Sequence, residues 1–228
     1  MGARGLIWVT RSEPGATATG QALIRRGYAP LIDPVIEVVV RAATVDLDRF
    51  AAVALTSAHG ARALATLTSR RDRPVFTVGD ATAEAARQAG FGDVRSASAD
   101  GAALATILSH APPDGPVLWV RGRDAAFDLV SALAGIVEVK PLVAYAAEPR
   151  RPDAALLAAE EGRIATVLIH SPRGARLAVE ALGDRPCPPA VCLSDAAADA
   201  WPGPILAVAA TPDEPALLDA LGKARPPV

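Results

Sequence analysis

The sequence predicts an α/β protein built from two similar doubly wound parallel-sheet domains joined by a two-stranded β ladder. Three observations lead there. Short runs that are apolar on both faces alternate with Ala- and Leu-rich stretches of helical period, as in a parallel sheet covered by helices on both sides. Strand–turn–helix motifs recur in matched pairs, which points to two copies of one unit. Two extended runs lack any helical pattern and mark where the chain crosses between the copies.

In chain order, strand 6–10 leads to helix 14–26, and then the run 31–40 (LIDPVIEVVV) is extended and broken by Pro34. Strand 51–56 precedes helix 60–68, strand 75–78 precedes helix 81–89, and a further helix covers 102–110. Strand 117–120 is followed by a helix over 124–134, with Phe127, Val130, Leu133 and Ala134 on its apolar face. The second extended run, 136–147 (IVEVKPLVAYAA), ends at the Pro-rich stretch 148–152. Helix 153–161, strand 166–169, helix 173–182, strand 190–193 and helix 214–221 complete the series. Gly27, Gly90, Gly135 and Gly183 each stand just past a helix end, where a left-handed cap suits a residue without Cβ. If the two extended runs are the crossings, one domain is discontinuous, 1–34 plus 149–228, and the other, 35–148, is inserted into it. Crossings near 34–40 and 136–148 lying side by side would form a thin antiparallel hinge.

The internal matches are specific. Residues 56–67 (TSAHGARALATL) and 170–182 (HSPRGARLAVEAL) share Ser-x-x-Gly-Ala-Arg after an apolar strand. Residues 75–86 and 191–201 share a strand–turn–Asp-Ala outline, and 6–11 (LIWVTR) matches 117–122 (VLWVRG). The three pairs are read as following one order in both copies.

Composition excludes several classes. With 51% hydrophobic and 21% charged residues, the 228-residue chain can bury a large core. Lys+Arg 23 against Asp+Glu 25 leaves a net charge of -2, without the basic excess of a nucleic-acid binder. No apolar run approaches the roughly 20 residues that cross a bilayer. Met1–Arg4 leads directly into the first strand, so no signal peptide is read and a cytoplasmic location is expected. Cys187 and Cys192 make neither a disulfide framework nor a zinc motif. There is no Gly-x-Gly-x-x-Gly, no Walker lysine, no nucleophile elbow and no paired metal-ligand spacing among His59, His110 and His170.

The chemistry sits in the turns after the strands: Thr10-Arg11-Ser12, Thr56-Ser57-Ala58, Gly79-Asp80-Ala81-Thr82, Arg121-Gly122-Arg123, Ser171-Pro172-Arg173 and Ser194-Asp195-Ala196. In open α/β sheets ligands bind beyond the strand carboxyl ends, and N–H groups at helix starts suit carboxylate or phosphate oxygens. Ordinary N-capping by Ser, Thr and Asp is the simpler account of any one of these turns, and only the set of six gives the ligand reading equal standing. His59 and His170 occupy matched turns, either as polar contacts facing a shared cleft or as turn histidines in solvent. Tyr145, in the returning crossing, could donate a proton to a leaving hydroxyl or simply pack over the ribbon.

Together these features resemble the uroporphyrinogen-III synthase family over essentially the whole chain. The resemblance rests on the strand ending Thr10-Arg11, the Thr56-Ser57-Ala58 turn, the Val78-Gly79-Asp80-Ala81-Thr82-Ala83 turn, the crossing with Tyr145, the Ser171-Pro172-Arg173 turn and the Leu193-Ser194 turn. It implies a pair of flavodoxin-like domains joined by a two-stranded ladder, with a linear tetrapyrrole in the cleft between them and no metal or organic cofactor. By analogy it gives Thr82 a substrate-binding role and Tyr145 the catalytic role of assisting loss of the hydroxyl; the turn chemistry read above adds Thr10, Arg11, Ser57, Ala58, Gly79, Arg121, Gly122, Ser171, Pro172 and Ser194 to the expected substrate-binding set. A second family threonine motif reads Ser194-Asp195-Ala196-Ala197-Ala198 here, leaving Ser194 and main-chain donors in place of the hydroxyl.

The reaction so implied is closure of hydroxymethylbilane with loss of water and inversion of ring D. Loss of the hydroxyl, helped by Tyr145, gives an azafulvenium cation; ring D attacks through its substituted carbon, and a spiro intermediate rearranges. Uncatalysed closure gives the uninverted isomer I, so the enzyme's task is largely conformational. The same reading expects a monomer in transient contact with the preceding pathway enzyme, with no nucleic-acid or membrane partner. Two other readings stay open at this point: a non-catalytic two-lobed binder of a small anionic ligand, or an inactive tetrapyrrole-pathway partner.

Overall fold

The computed structural model describes residues 5–41 and 44–223. Met1–Arg4, read above as leading directly into the first strand, and residues 224–228 of the discontinuous domain lie outside the described residues. The elements are β1 (Leu6–Val9), α1 (Gly15–Arg25), β2 (Ala29–Ile32), β3 (Ile36–Val40), β4 (Ala52–Leu55), α2 (Ala58–Leu67), β5 (Val75–Thr77), α3 (Asp80–Gln88), β6 (Val94–Ser96), α4 (Gly101–His110) and β7 (Val117–Gly122). They continue with α5 (Leu129–Ala132), β8 (Val139–Pro149), α6 (Asp153–Glu160), β9 (Ile164–Ile169), α7 (Pro172–Leu182), β10 (Ala190–Cys192), α8 (Asp195–Asp199), β11 (Ile205–Val208) and α9 (Glu214–Lys223).

The chain divides into two compact units, one of residues up to Glu37 together with those from Glu148 on, the other Val38–Ala147. In unit 1 the sheet order is β11-β10-β9-β1-β2, with every pairing parallel. The pleat sends Ile7, Val9, Leu168 and Val191 to one face, where Ala16, Leu23, Leu217 and Leu221 of α1 and α9 cover them. Trp8, Val167, Ile169 and Cys192 go to the other face, under Ala155, Ala175, Ala178 and Leu182 of α6 and α7. Both faces are dry, which is why these strands read as unbroken apolar runs.

Unit 2 repeats the scheme with the order β3-β8-β7-β4-β5-β6, and the pairings from β8 to β6 are parallel. Val53, Leu55, Leu118 and Val120 face Ala61, Leu64 and Ala86. Ala54, Phe76 and Trp119 face Leu104, Leu108, Leu129 and Leu133. Strand β3 lies on the edge beside β8; the Arg41 N–H donates to Ala144 O (2.8 Å) and the Arg150 N–H to Val35 O (2.9 Å), a single antiparallel register.

Placed side by side, β2-β1-β9-β10-β11 and β8-β7-β4-β5-β6 hold the same positions, with a second doubly wound sheet matching the first strand for strand. The sequence matches fall on β9/β4, β10/β5 and β1/β7, which are equivalent in this superposition of order. One expectation is corrected. The copies do not follow one chain order: unit 1 begins with β1 and β2, whereas unit 2 ends with their counterparts β7 and β8, so the repeat is circularly permuted.

The helix expected over 124–134 is also corrected, since α5 covers only Leu129–Ala132. Asp128 Oδ1 accepts the Val130 and Ser131 N–H groups (3.1 and 3.3 Å), which starts the helix there and leaves 124–127 as an irregular strand-to-helix passage. Its buried residues are Leu129 and Leu133; Val130 and Ala134, expected on the apolar face, are exposed. Strands β2, β6 and β11 were not expected as separate strands, and the short helix α8 follows the Ser194 turn.

Candidate active site

A doubly wound sheet opens a crevice where the strand order reverses, because the helices on its two sides diverge there. In unit 2 that reversal falls between β4 and β7. A cavity of about 350 Å³ occupies the carboxyl ends of these strands, lined by Thr56 and Ser57 after β4, Gly122 closing β7, Tyr145 on β8, and Val78, Asp100, Gly101 and Asp124–Phe127.

Tyr145 is placed here by register: it stands opposite Gly122 across the β7–β8 pair. Gly122 makes the arrangement possible, since a Cβ there would lie 2.8 Å from Tyr145 Cε2 and 3.2 Å from its Oη. The phenol Oη is 2.6 Å from Ser57 Oγ, and the ring tilts against that of His59 at a centroid distance of 5.8 Å. Ser57 Oγ also accepts the Gly60 N–H (3.2 Å), capping α2. Asp100 Oδ1 accepts the Ala102 and Ala103 N–H groups (both 3.0 Å), so that helix start is already occupied. Phe127 closes over Gly101, where any Cβ would fall 2.5 Å from the ring.

Of the residues expected from sequence, Ser57, Gly122 and Tyr145 therefore line one cavity. Ala58 is the first residue of α2; Gly79 caps α3 and Thr82 is buried in its first turn. The Arg121 guanidinium stacks 5.0 Å over Trp119 and donates to Gly122 O and Arg123 O, which fixes the turn. Sequence reasoning missed Asp100, Gly101 and Phe127; the Asp-Gly pair before an apolar helix was the available signal for the first two.

The remaining expected residues belong to unit 1. Ser171 caps α7 by accepting the Gly174 N–H (3.0 Å), Pro172 follows at its first position, and Ser194 caps α8 by accepting the Ala197 N–H (3.3 Å). The Thr10 hydroxyl donates to Leu168 O (2.7 Å), tying β1 to β9. Arg11 pairs with Glu214 at 2.6 Å, and Glu214 also accepts from Thr19 and from His170 Nε2 (3.2 Å). His170 is not a solvent-facing histidine: its side chain is 9% exposed and its Nδ1 has no hydrogen-bond partner among the described residues.

Burial alone would raise the Glu214 carboxyl, but hydrogen bonds from His170 and Thr19 and the charges of His170 and Arg11 bring it from 4.5 to about 2. Its folded-state value is depressed, so its contribution is complete above pH 4.5 and is lost as pH falls toward 2. The loss is expected to be roughly 2–3 kcal/mol. Urea midpoints measured from pH 6 to pH 2 check this, with Glu214→Gln expected to lack that part of the acid slope; an unchanged slope rejects the assignment.

Fold and cavity define a class: a two-unit, doubly wound α/β protein with a phenol-bearing cavity at a strand-order reversal. Residues 17–219 match the family model for uroporphyrinogen-III synthase HemD, so the chain belongs to the uroporphyrinogen-III synthase family, lyases that cyclise hydroxymethylbilane in tetrapyrrole biosynthesis. The crystal structure of uroporphyrinogen-III synthetase from Helicobacter pylori 26695 is similar at 15% identity and a TM-score of 0.66, over 97% of this chain and 100% of that one. A mutant uroporphyrinogen III synthase from the extremely thermophilic bacterium Thermus thermophilus is similar at 17% identity and a TM-score of 0.53, over 96% and 98%. These likenesses establish the fold. Among curated proteins no match was found. No helix among the described residues is long and apolar enough to cross a membrane.

Proposed function

We propose that ring closure takes place at the β4/β7 cavity, with Tyr145 as the general acid that protonates the departing hydroxyl. The observation that carries this is the position of the phenol: Tyr145 lines the cavity, with its Oη 2.6 Å from Ser57 Oγ and its ring fixed by Ser57, Gly122 and β8. About 350 Å³ takes one substituted pyrrole, so the cavity receives the hydroxymethyl-bearing end and the other rings extend beyond it. Its wall suits that end. Asp100 and Asp124 line it, and carboxylates there favour the cation that forms when the protonated hydroxyl leaves as water while disfavouring a close carboxylate arm. The arms are assigned to main-chain N–H groups at the starts of α2 and α3, around Ser57-Ala58 and Gly79–Thr82. Thr10, Arg121 and Gly122 shape the turns.

The same reading takes the two compact units as the two domains, with β3 and β8 as the ladder that joins them. It takes the protein as a cytoplasmic monomer that meets the preceding pathway enzyme transiently. Two free thiols, with Cys192 pushed up to about 11 by burial, fit a reducing compartment.

Incubation with enzymatically generated hydroxymethylbilane, followed by separation of isomers III and I, tests the proposal; isomer III in excess is expected. A binder or inactive partner would leave only isomer I. Tyr145→Phe is expected to slow isomer III formation about tenfold to 10²-fold, the low end of general-acid effects, because the hydroxyl also leaves unaided. Wild-type rate and isomer ratio in that variant would remove Tyr145 from the mechanism.

A further inference from the structure

Ser57 performs two tasks with one oxygen. It accepts the Gly60 N–H (3.2 Å) as the cap of α2, and it lies 2.6 Å from the Tyr145 phenol oxygen. An oxygen that accepts one N–H retains a proton and a lone pair to share, so either hydroxyl can donate in the resting pair. Once Tyr145 has given its proton away, only one arrangement is left. A phenolate has lone pairs and no hydrogen, so the Ser57 O–H must be the donor.

We propose that Ser57 is a positioning residue for Tyr145: it aims the phenol into the cavity and, as the proton leaves, turns its O–H onto the phenolate. The chain Gly60 N–H to Ser57 Oγ–H to Tyr145 Oη then couples the new negative charge to the positive end of α2. The inference rests on the reading of Tyr145 as the acid. The equivalent turn of unit 1 shows that the cap by itself needs no phenol: Ser171 has the same backbone angles, φ −163° and ψ 157°, and caps Gly174 N–H at 3.0 Å. In unit 2 the tyrosine is added to that cap, and Gly122 opposite leaves the space for it.

The step balances without any co-reactant. The phenol proton passes to the hydroxyl oxygen of the substrate, the C–O bond breaks with its electron pair on oxygen, and water departs. Substrate cation and Tyr145 phenolate remain. Ring D attacks through its substituted carbon, which carries no hydrogen; in the spiro intermediate the older bond to that carbon breaks and re-forms at the unsubstituted α-carbon of ring D, which then loses its proton to the phenolate, and the net change is the loss of one water.

The test measures kcat, KM and isomer ratio for the parent, Ser57→Ala, Ser57→Thr, Tyr145→Phe and the Ser57→Ala/Tyr145→Phe double variant. Ser57→Ala is expected to lower kcat about tenfold with KM within about twofold, and Ser57→Thr to restore most of it. The double variant should be no more than about twofold slower than Tyr145→Phe alone, since the serine then has no phenol to act through. Melting temperatures beside Ser171→Ala separate the cost of a lost cap, and Ser57→Gly, which keeps a tolerable helix start, replaces Ser57→Ala if that variant does not fold. An unchanged kcat, a loss confined to KM, or losses that multiply in the double variant would overturn the role of Ser57 while leaving Tyr145 as the acid. A parent-like Tyr145→Phe removes the acid itself, and this inference with it.

Discussion

Gly122→Val is expected to lower kcat by about 10²-fold or more, without a matching loss of stability. The reason is space rather than backbone strain. A Cβ at this last residue of β7 would stand 2.8 Å from Cε2, 3.0 Å from Cζ and 3.2 Å from Oη of Tyr145, closer than carbon and oxygen tolerate. The far half of the ring is what must yield, and it carries the hydroxyl proposed to give up the proton. A displacement of about 1 Å at a reacting group costs on the order of 10²-fold, and the valine side chain is added at a residue that lines the cavity. Steady-state kinetics beside a thermal melt check the result. Parent-like kcat would mean that the ring position seen here is not the working one.

Asp33→Ala is expected to destabilise the protein by about 3 kcal/mol, the largest stability effect of any polar substitution considered. Asp33 follows β2, and its side chain is 5% exposed. One carboxylate oxygen accepts from Arg150 (2.6 Å) and the other from the Ala155 N–H (2.9 Å). The α6 start has Pro152 at its cap position and no side-chain cap of its own, so Asp33 caps that helix from 122 residues away. Trp8 Nε1 donates to the Asp33 carbonyl (2.7 Å) and Arg150 to Pro34 O (2.8 Å), which ties the place where the chain leaves unit 1 to the place where it returns. Alanine leaves a buried N–H without its acceptor and Arg150 with Pro34 O but no carboxylate partner, whereas Asn retains one oxygen and is expected to cost about half as much. Urea unfolding followed by tryptophan fluorescence measures both; a loss under about 1 kcal/mol for Asp33→Ala would show the clamp to be dispensable.

What the sequence revealed and what it hid follow from burial. The central strands β1, β4, β5, β7, β9 and β10 are covered on both faces, and their runs of Val, Ile, Leu and Ala announce them. The overlooked strands β2, β6 and β11 are all sheet edges, half-exposed, and β2 carries Pro30, which only an edge accommodates. The apolar spacing in 124–134 suggested a full helix, but Asp128 competes for the backbone and starts it late. At the cavity, Ser57, Gly122 and Tyr145 were legible because each stands in a turn or crossing with a distinctive residue type. Asp100 and Phe127 were not: they reach the same space through the β6-to-α4 and β7-to-α5 connections, and no spacing along the chain encodes that meeting. Glu214 was hidden likewise, since its partners Arg11, Thr19 and His170 lie far away in sequence.

The interrupted course of unit 1 has a consequence for birth on the ribosome. As the chain emerges, β1 and β2 appear first, but two strands without their remaining neighbours make a marginal sheet, and β9 comes only after the whole of Val38–Ala147 has been synthesised. The middle segment, unbroken from β4 to β8, can complete its layers while the opening residues wait. The nascent polypeptide is thus expected to mature from its centre outward, and an early stop after Pro149 would strand the first two strands without the sheet they were made to join.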